Sequence, residues 1–189
     1  MAKHEEFMTE AVRLAKESVN NNWGGPFGAV IVRGGRIVAR GQNRVLLTGD
    51  PTAHGEVEAI RKAVQVLNPS APSIARDRQH TSTLKLIPRE PNSPDKVGAR
   101  ARMLKGCVIY TSGAPCPMCM SAIYWARISA VYFACDLKET ERIGFSDAYQ
   151  YKDFTKPLDQ RLIPIKQIFP GLGKMAYRAW KYKTDQHPY

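Results

Sequence analysis

The chain has 189 residues, 43% hydrophobic and 24% charged, the balance of a folded globular domain and not of a disordered or fibrous one. That length buries a sizeable core without disulfides or a structural metal, so a single domain over residues 1–189 is expected and any metal is free for chemistry. The net charge of +11 brings anionic partners into consideration, nucleic acid first, yet no Lys/Arg run is interleaved with aromatic residues as a base-stacking surface would be.

The N-terminal residues carry Glu5, Glu6 and Glu10 among apolar ones, which fits an amphipathic helix and not a cleaved leader. Phe7, Val12, Leu14, Ala15 and Val19 form its apolar stripe, which stops at Asn20-Asn21-Asn22. Residues 28–32 and 36–41 read as two strands around the turn Arg33-Gly34-Gly35. Asp50-Pro51-Thr52 reads as the entry to a helix whose buried face is Val57, Ile60, Val64 and Leu67, which puts His54 and Glu56 in its first turn. Further on, residues 108–111 predict a buried strand, 116–127 a helix led by two prolines, 130–134 a third core strand, and 173–183 a final helix opening a C-terminal tail. Strands alternating with helices predict an α/β sandwich.

The stretch at about 68–105 holds Pro69, Pro72, Pro88, Pro91 and Pro94 with no sustained periodicity and an excess of Lys and Arg. It reads as a solvated surface insertion, with a nucleic-acid or subunit contact as the alternative. No apolar run approaches the ~20 residues needed to cross a bilayer, so a cytoplasmic protein without membrane contact is expected. Cys107 and Cys135, in short apolar runs, read as buried, inert thiols.

Two separated motifs carry the chemistry: His54-Gly55-Glu56 and Pro115-Cys116-Pro117-Met118-Cys119. One imidazole and two thiolates make a zinc site of three ligands with the fourth position open, the pattern of a catalytic centre, and one zinc per chain is expected. Cys116 and Cys119, three apart, share a helical face, and a helix N-terminus favours their thiolates. A redox pair or a structural zinc knuckle would explain the cysteines alone, but not the histidine and glutamate. Glu56 suits a proton carrier that deprotonates water, protonates a ring nitrogen and then a leaving amine, which is hydrolytic deamination. As a mere helix N-terminal acid it would satisfy the dipole and leave the cysteines unexplained.

On these motifs, together with Gly24-Gly25-Pro26-Phe27-Gly28-Ala29-Val30, Gly41-Gln42-Asn43, Asp50-Pro51-Thr52-Ala53-His54, Ala122-Ile123-Tyr124-Trp125-Ala126-Arg127 and Gly144-Phe145 with Asp147, the chain resembles the cytidine deaminase-like superfamily. Within it, the likeness is to the small bacterial-type guanine deaminases. The resemblance implies a three-layer α/β/α sandwich with a five-stranded mixed sheet, assembled as a homodimer that exchanges its C-terminal segment. It implies a purine substrate held by Asn43, stacked on Phe27 and selected by Asp147, with Tyr189 covering the partner's pocket, and Gly55 and Trp125 are expected among the substrate-binding residues. The chain departs from the pattern with Gly55 in place of alanine, Ala114 in place of glutamate and Ser146 in place of an acid. Guanine to xanthine and ammonia is the expected reaction. The alternatives are a tRNA adenosine deaminase, a deaminase of another guanine-like, cytosine or pterin compound, and a binding module that keeps zinc for structure.

Overall fold

The computed structural model describes residues 2–67, 103–184 and 186. Helix α1 (Ala2–Asn20) leads into strands β1 (Gly28–Arg33) and β2 (Arg36–Gln42), a single turn α2 (Val45–Thr48) and helix α3 (Gly55–Leu67). After residue 102 follow β3 (Cys107–Gly113), α4 (Pro117–Trp125), β4 (Ala130–Cys135), α5 (Leu137–Arg142), α6 (Ala148–Phe154), a 3-10 turn at Leu158–Gln160 and α7 (Pro170–Lys181). The sheet order is β2-β1-β3-β4, with β1 antiparallel to both neighbours and β3 parallel to β4.

Alternation along the strands separates two cores. Val30, Val32 and Tyr110 face Phe7 and Leu14 of α1, whereas Ala29, Ile31, Cys107 and Ile109 face Ala59 and Ala63 of α3 and Ile123 of α4. The result is a helix–sheet–helix stack. At the hairpin Gly34 and Gly35 have φ of 57° and 72°, the left-handed pair that a two-residue turn of this twist requires. Gly41 lets α3 lie directly on β2, since a Cβ there would run into the Gly55 carbonyl and the Ala59 backbone. Leu67, where α3 ends, and Leu104, just before β3, pack on the same apolar cluster.

Several expectations change. The sheet has four strands among the described residues, not five: the chain after β4 turns into short helices, and the irregular run at 161–169 contains Pro164, which has no N–H for a ladder. β4 is therefore an edge strand and not a core strand, with Tyr132, Phe133 and Cys135 exposed, and Cys135 is no buried thiol. On α1 the buried stripe is Phe7, Ala11, Leu14, Ala15 and Ser18, while Val12 and Val19 face outward. On α3 the deepest residues are Gly55, Glu56, Glu58, Ala59 and Ala63, while Val57, Ile60, Val64 and Leu67 are half-buried. The insertion expected at about 68–105 lies mostly outside the described residues, as does Tyr189.

Candidate metal-dependent active site

Two helix starts meet behind the sheet edge. His54 stands immediately before α3 and not in its first turn; its carbonyl accepts from the Glu58 N–H at 3.0 Å, and its own N–H donates to the Thr52 carbonyl at 2.8 Å. Cys116 occupies the corresponding place before α4 with extended backbone, Pro117 opens the helix, and Cys119 lies buried one turn in. Proline fits there because the first helical N–H has no partner inside the helix.

The ligand atoms of His54, Cys116 and Cys119 all lie within 4.8 Å of one another. His54 Nδ1 is 3.6 Å from Cys116 Sγ and 3.5 Å from Cys119 Sγ. Tetrahedral zinc with bonds of ~2.3 Å to sulfur and ~2.0–2.1 Å to nitrogen has ligand–ligand edges of about 3.5–3.8 Å, so the donor set fits that ion in type and in spacing. Without metal, the Cys119 thiol and His54 hold Cys116 down at about 4, as thiolate. Cys119 is pushed far up by the Cys116 thiolate it faces and by burial, and His54 is raised by its bond to Cys116. One proton shared across two sulfurs is what a divalent cation displaces on binding.

Glu56, 7% exposed, lies one residue into α3 with the Cys119 thiol in hydrogen-bonding reach. Burial raises its carboxyl above the usual range, helped by the Cys116 charge. Gly55 beside it is tight: a Cβ there would sit 3.0 Å from the Phe27 carbonyl, so the helix start is held against β1.

The substrate-side residues approach from two directions. The Asn43 side chain is buried; its Oδ1 accepts from the Val45 N–H at 3.2 Å, its backbone N–H donates to the Phe27 carbonyl at 2.8 Å, and its carbonyl accepts from the Ser18 hydroxyl at 2.7 Å. With its oxygen committed, the side chain has its amide N–H groups to offer a ligand. Ser112 Oγ accepts from the Gly28 N–H and donates to the Pro26 carbonyl, which fixes the loop carrying Phe27. The Phe27 ring meets Phe145 edge-on, with centroids 5.0 Å apart. Asp147, at the start of α6, is half-buried; burial raises its carboxyl and the Cys116 charge adds to this, while His54 opposes it. The site's charges therefore reach a residue about thirty positions further along the chain.

Trp125 ends α4, at the opposite end of that helix from the ligands, and is 61% exposed, so the fold does not bring it to the cluster. Sequence reasoning missed Phe145 as the partner of Phe27 and Tyr151, whose hydroxyl donates to the Pro115 carbonyl at 2.7 Å. The available sign was spacing, since Asp147 and Tyr151 stand one helical turn apart. Beside these residues an apolar cavity of about 640 Å³ opens between Pro115, Met120, Tyr124, Phe133, Leu137 and Tyr151.

Comparison with known proteins agrees with this geometry. Residues 1–135 match the family model for the cytidine and deoxycytidylate deaminase zinc-binding region. The chain is 40% identical to the guanine deaminase of Bacillus subtilis strain 168 over 186 residues, 98% of this chain and 99% of that one. The crystal structure of guanine deaminase from Bacillus subtilis superposes with a TM-score of 0.78, at 40% identity and with 98% of each chain covered. A tRNA-specific adenosine deaminase of Aquifex aeolicus is 30% identical over 130 residues, 69% of this chain and 64% of its own. That likeness covers less than three-quarters of this chain, whereas the likeness to guanine deaminase covers nearly all of it. This chain belongs to the cytidine and deoxycytidylate deaminase family of zinc-binding proteins.

Proposed function

We propose that the protein is a zinc-dependent guanine deaminase that hydrolyses guanine to xanthine and ammonia. The observation that carries this reading is that the resemblance to guanine deaminase extends over 98% of the chain, through the segment that contributes Asp147. Zinc held by His54, Cys116 and Cys119 with its fourth position open supplies, when bound, a water activated near neutral pH.

The remaining work falls to side chains. Glu56, a carboxyl raised by burial, takes one proton from the attacking water and passes it to the ring nitrogen next to C2; it then takes the proton of the hydroxyl now on C2 and passes it to the amine, which leaves as ammonia while the C2 carbonyl forms. Asn43 holds the purine edge through its amide, Phe27 stacks on the base, and Asp147 accepts from ring and amine N–H groups that adenine or cytosine would present differently. Gly55 acts through packing, since its lack of a side chain lets the start of α3 lie against the Phe27 and Gly28 backbone. Trp125 contributes at most through assembly, being remote from the ligands within one chain.

We further propose a homodimer in which the C-terminal arm docks on the partner and its last residue, Tyr189, closes the partner's pocket. The support is the amphipathic arm itself, with Leu172, Met175, Tyr177 and Trp180 of α7 46–77% exposed, together with the apolar cavity that stands open next to the ligand loop. We place the enzyme in the cytoplasm, where its ligand thiols stay reduced.

Ammonia release from a panel of guanine, guanosine, cytosine, a pterin and a tRNA tests the substrate. Turnover of guanine alone is expected. Release from tRNA adenosine with none from guanine would replace this reading by RNA editing.

A further inference from the structure

Each of the three residues before Cys116 takes part in a hydrogen bond that ties the loop down. The Gly113 carbonyl accepts from Thr111 Oγ1 at 2.7 Å, the Ala114 N–H donates to the Cys135 carbonyl at 2.8 Å, and the Pro115 carbonyl accepts from Tyr151 Oη at 2.7 Å. The first two ties come from β3 and β4, on which the loop grows. The third comes from α6, and it falls on the residue adjacent to the ligand. Proline has no N–H, so this carbonyl is its sole backbone hydrogen-bonding group, and Pro115 is buried.

The same α6 carries Asp147 one helical turn earlier, on the face that Tyr151 shares. Its other end is fixed by Phe145 against Phe27. Asp147 thus stands between two anchors, one on the loop that presents Phe27 and one on the loop that presents Cys116. α5 packs against α6, and Asp153 and Phe154 at the far end of α6 are tied to residues 156–162, so these two points are its anchors on the side of the metal ligands.

We propose that Tyr151 is a positioning residue that locks α6 to the Cys116 loop and so fixes Asp147 relative to the metal ligands. The assignment rests on the deaminase reading for the role of Asp147, but the tie to the ligand loop stands without it. Loss of the hydroxyl frees the Pro115 carbonyl and with it the backbone that aims one thiolate, while the aromatic ring still fills its place.

Tyr151→Phe in the full-length zinc protein is the test, read in three ways. Zinc release to an excess of chelator should speed up about tenfold, and the cobalt(II)-substituted protein should show a shifted visible absorption band, because one sulfur ligand is less constrained. Guanine kcat/KM should fall about tenfold, mainly through KM. The double variant Tyr151→Phe/Asp147→Asn should be no worse than Asp147→Asn alone, since the hydroxyl acts through the carboxylate. Unchanged zinc release and cobalt spectrum, with only a lowered Tm, would overturn the proposal and leave Tyr151 a packing residue; independent, additive losses from the two substitutions would overturn the link to Asp147. Should guanine prove not to be the substrate, zinc release and the cobalt spectrum still decide the tie to the ligand loop.

Discussion

Residues 2–67 with 103–135, and residues 136–184, solve the burial problem in opposite ways. The first region closes on itself, with α1 on one face of the sheet, α3 and α4 on the other, and Ile31, Ile109 and Val30 fully buried. The second buries only Thr140 and Asp153, while Phe154, Ile163, Ile168, Phe169 and Leu172 stay more than half exposed. Local order there comes from polar ties: Asp153 accepts from the Leu162 N–H and from Lys156, and Arg161 donates to the Phe154 carbonyl and stacks over the Phe154 ring. Yet Asp147 belongs to this second region. The metal ligands and Glu56, the proposed proton carrier, come from the first part, and Asp147, proposed to read the base, comes from the part whose apolar side chains stay exposed.

Substitutions divide along that line. Glu56→Gln strikes the chemistry in the first region and should lower kcat by ~10⁴ or more, because the residue serves successive proton transfers each worth ~10²–10⁴. Metal analysis should show a full complement of zinc in that variant. Near-normal turnover would end the deaminase mechanism.

Asp147→Asn acts from the second region and should reduce kcat/KM for guanine by ~10²–10³ with zinc content unchanged, as a misplaced donor faces the base. Loss of zinc along with activity would mean that the two regions are not separable. Removing residues 184–189 should cost about tenfold in turnover, or ~1.4 kcal/mol, by admitting water to the pocket while leaving the metal in place. Mixing that truncated chain with Glu56→Gln should restore part of the activity, since one site of the mixed dimer then has both an intact glutamate and a partner's tail. No recovery in proven mixed dimers would put the arm on its own subunit.

The smallest effect tests the self-sufficient half. Glu10 accepts from Arg13 and from Arg40 of β2, clasping α1 to the sheet, and the Arg13 bond chiefly holds its carboxyl down at about 2 from 4.5. A depressed carboxyl stabilises the fold above pH ~4.5, and that contribution disappears as pH falls towards 2. Both arginines are half-exposed, so screening reduces the contribution to about 1 kcal/mol. Glu10→Gln should therefore lower stability by that much at pH 7 in urea unfolding, and match the parent near pH 2.

The strands, the hairpin and both metal motifs were legible because each has a local cause: alternation, paired glycines, and ligands beside proline or an acid. His54 was misplaced by one residue because a helix entry read from Asp50-Pro51-Thr52 continues as a turn, where Asp50 Oδ1 accepts from the Thr52 N–H and hydroxyl. α5 was legible and overlooked, since Asp136 and Glu139 form a reciprocal capping box. The exposure of β4 could not be read, because its sequence is that of a covered strand and its edge position is set by the course of the chain after Cys135. Tyr151 and Phe145 were hidden for a related reason, as their partners Pro115 and Phe27 lie 36 and 118 positions away and no periodicity records such distances.

Leu67, at the end of α3, and Leu104, just before β3, rest on one apolar cluster. His54 precedes the first of these residues in the chain, and the two cysteines follow the second. Closing a chain loop costs free energy only with the logarithm of its length, about 0.6 kcal/mol for a doubling, so the span between the histidine and the cysteines can grow or shrink without disturbing their meeting. For a protein engineer this is a splice point: a reporter domain whose own termini lie close together can be carried there, between two halves of one metal centre, and zinc binding then reports whether both halves have folded.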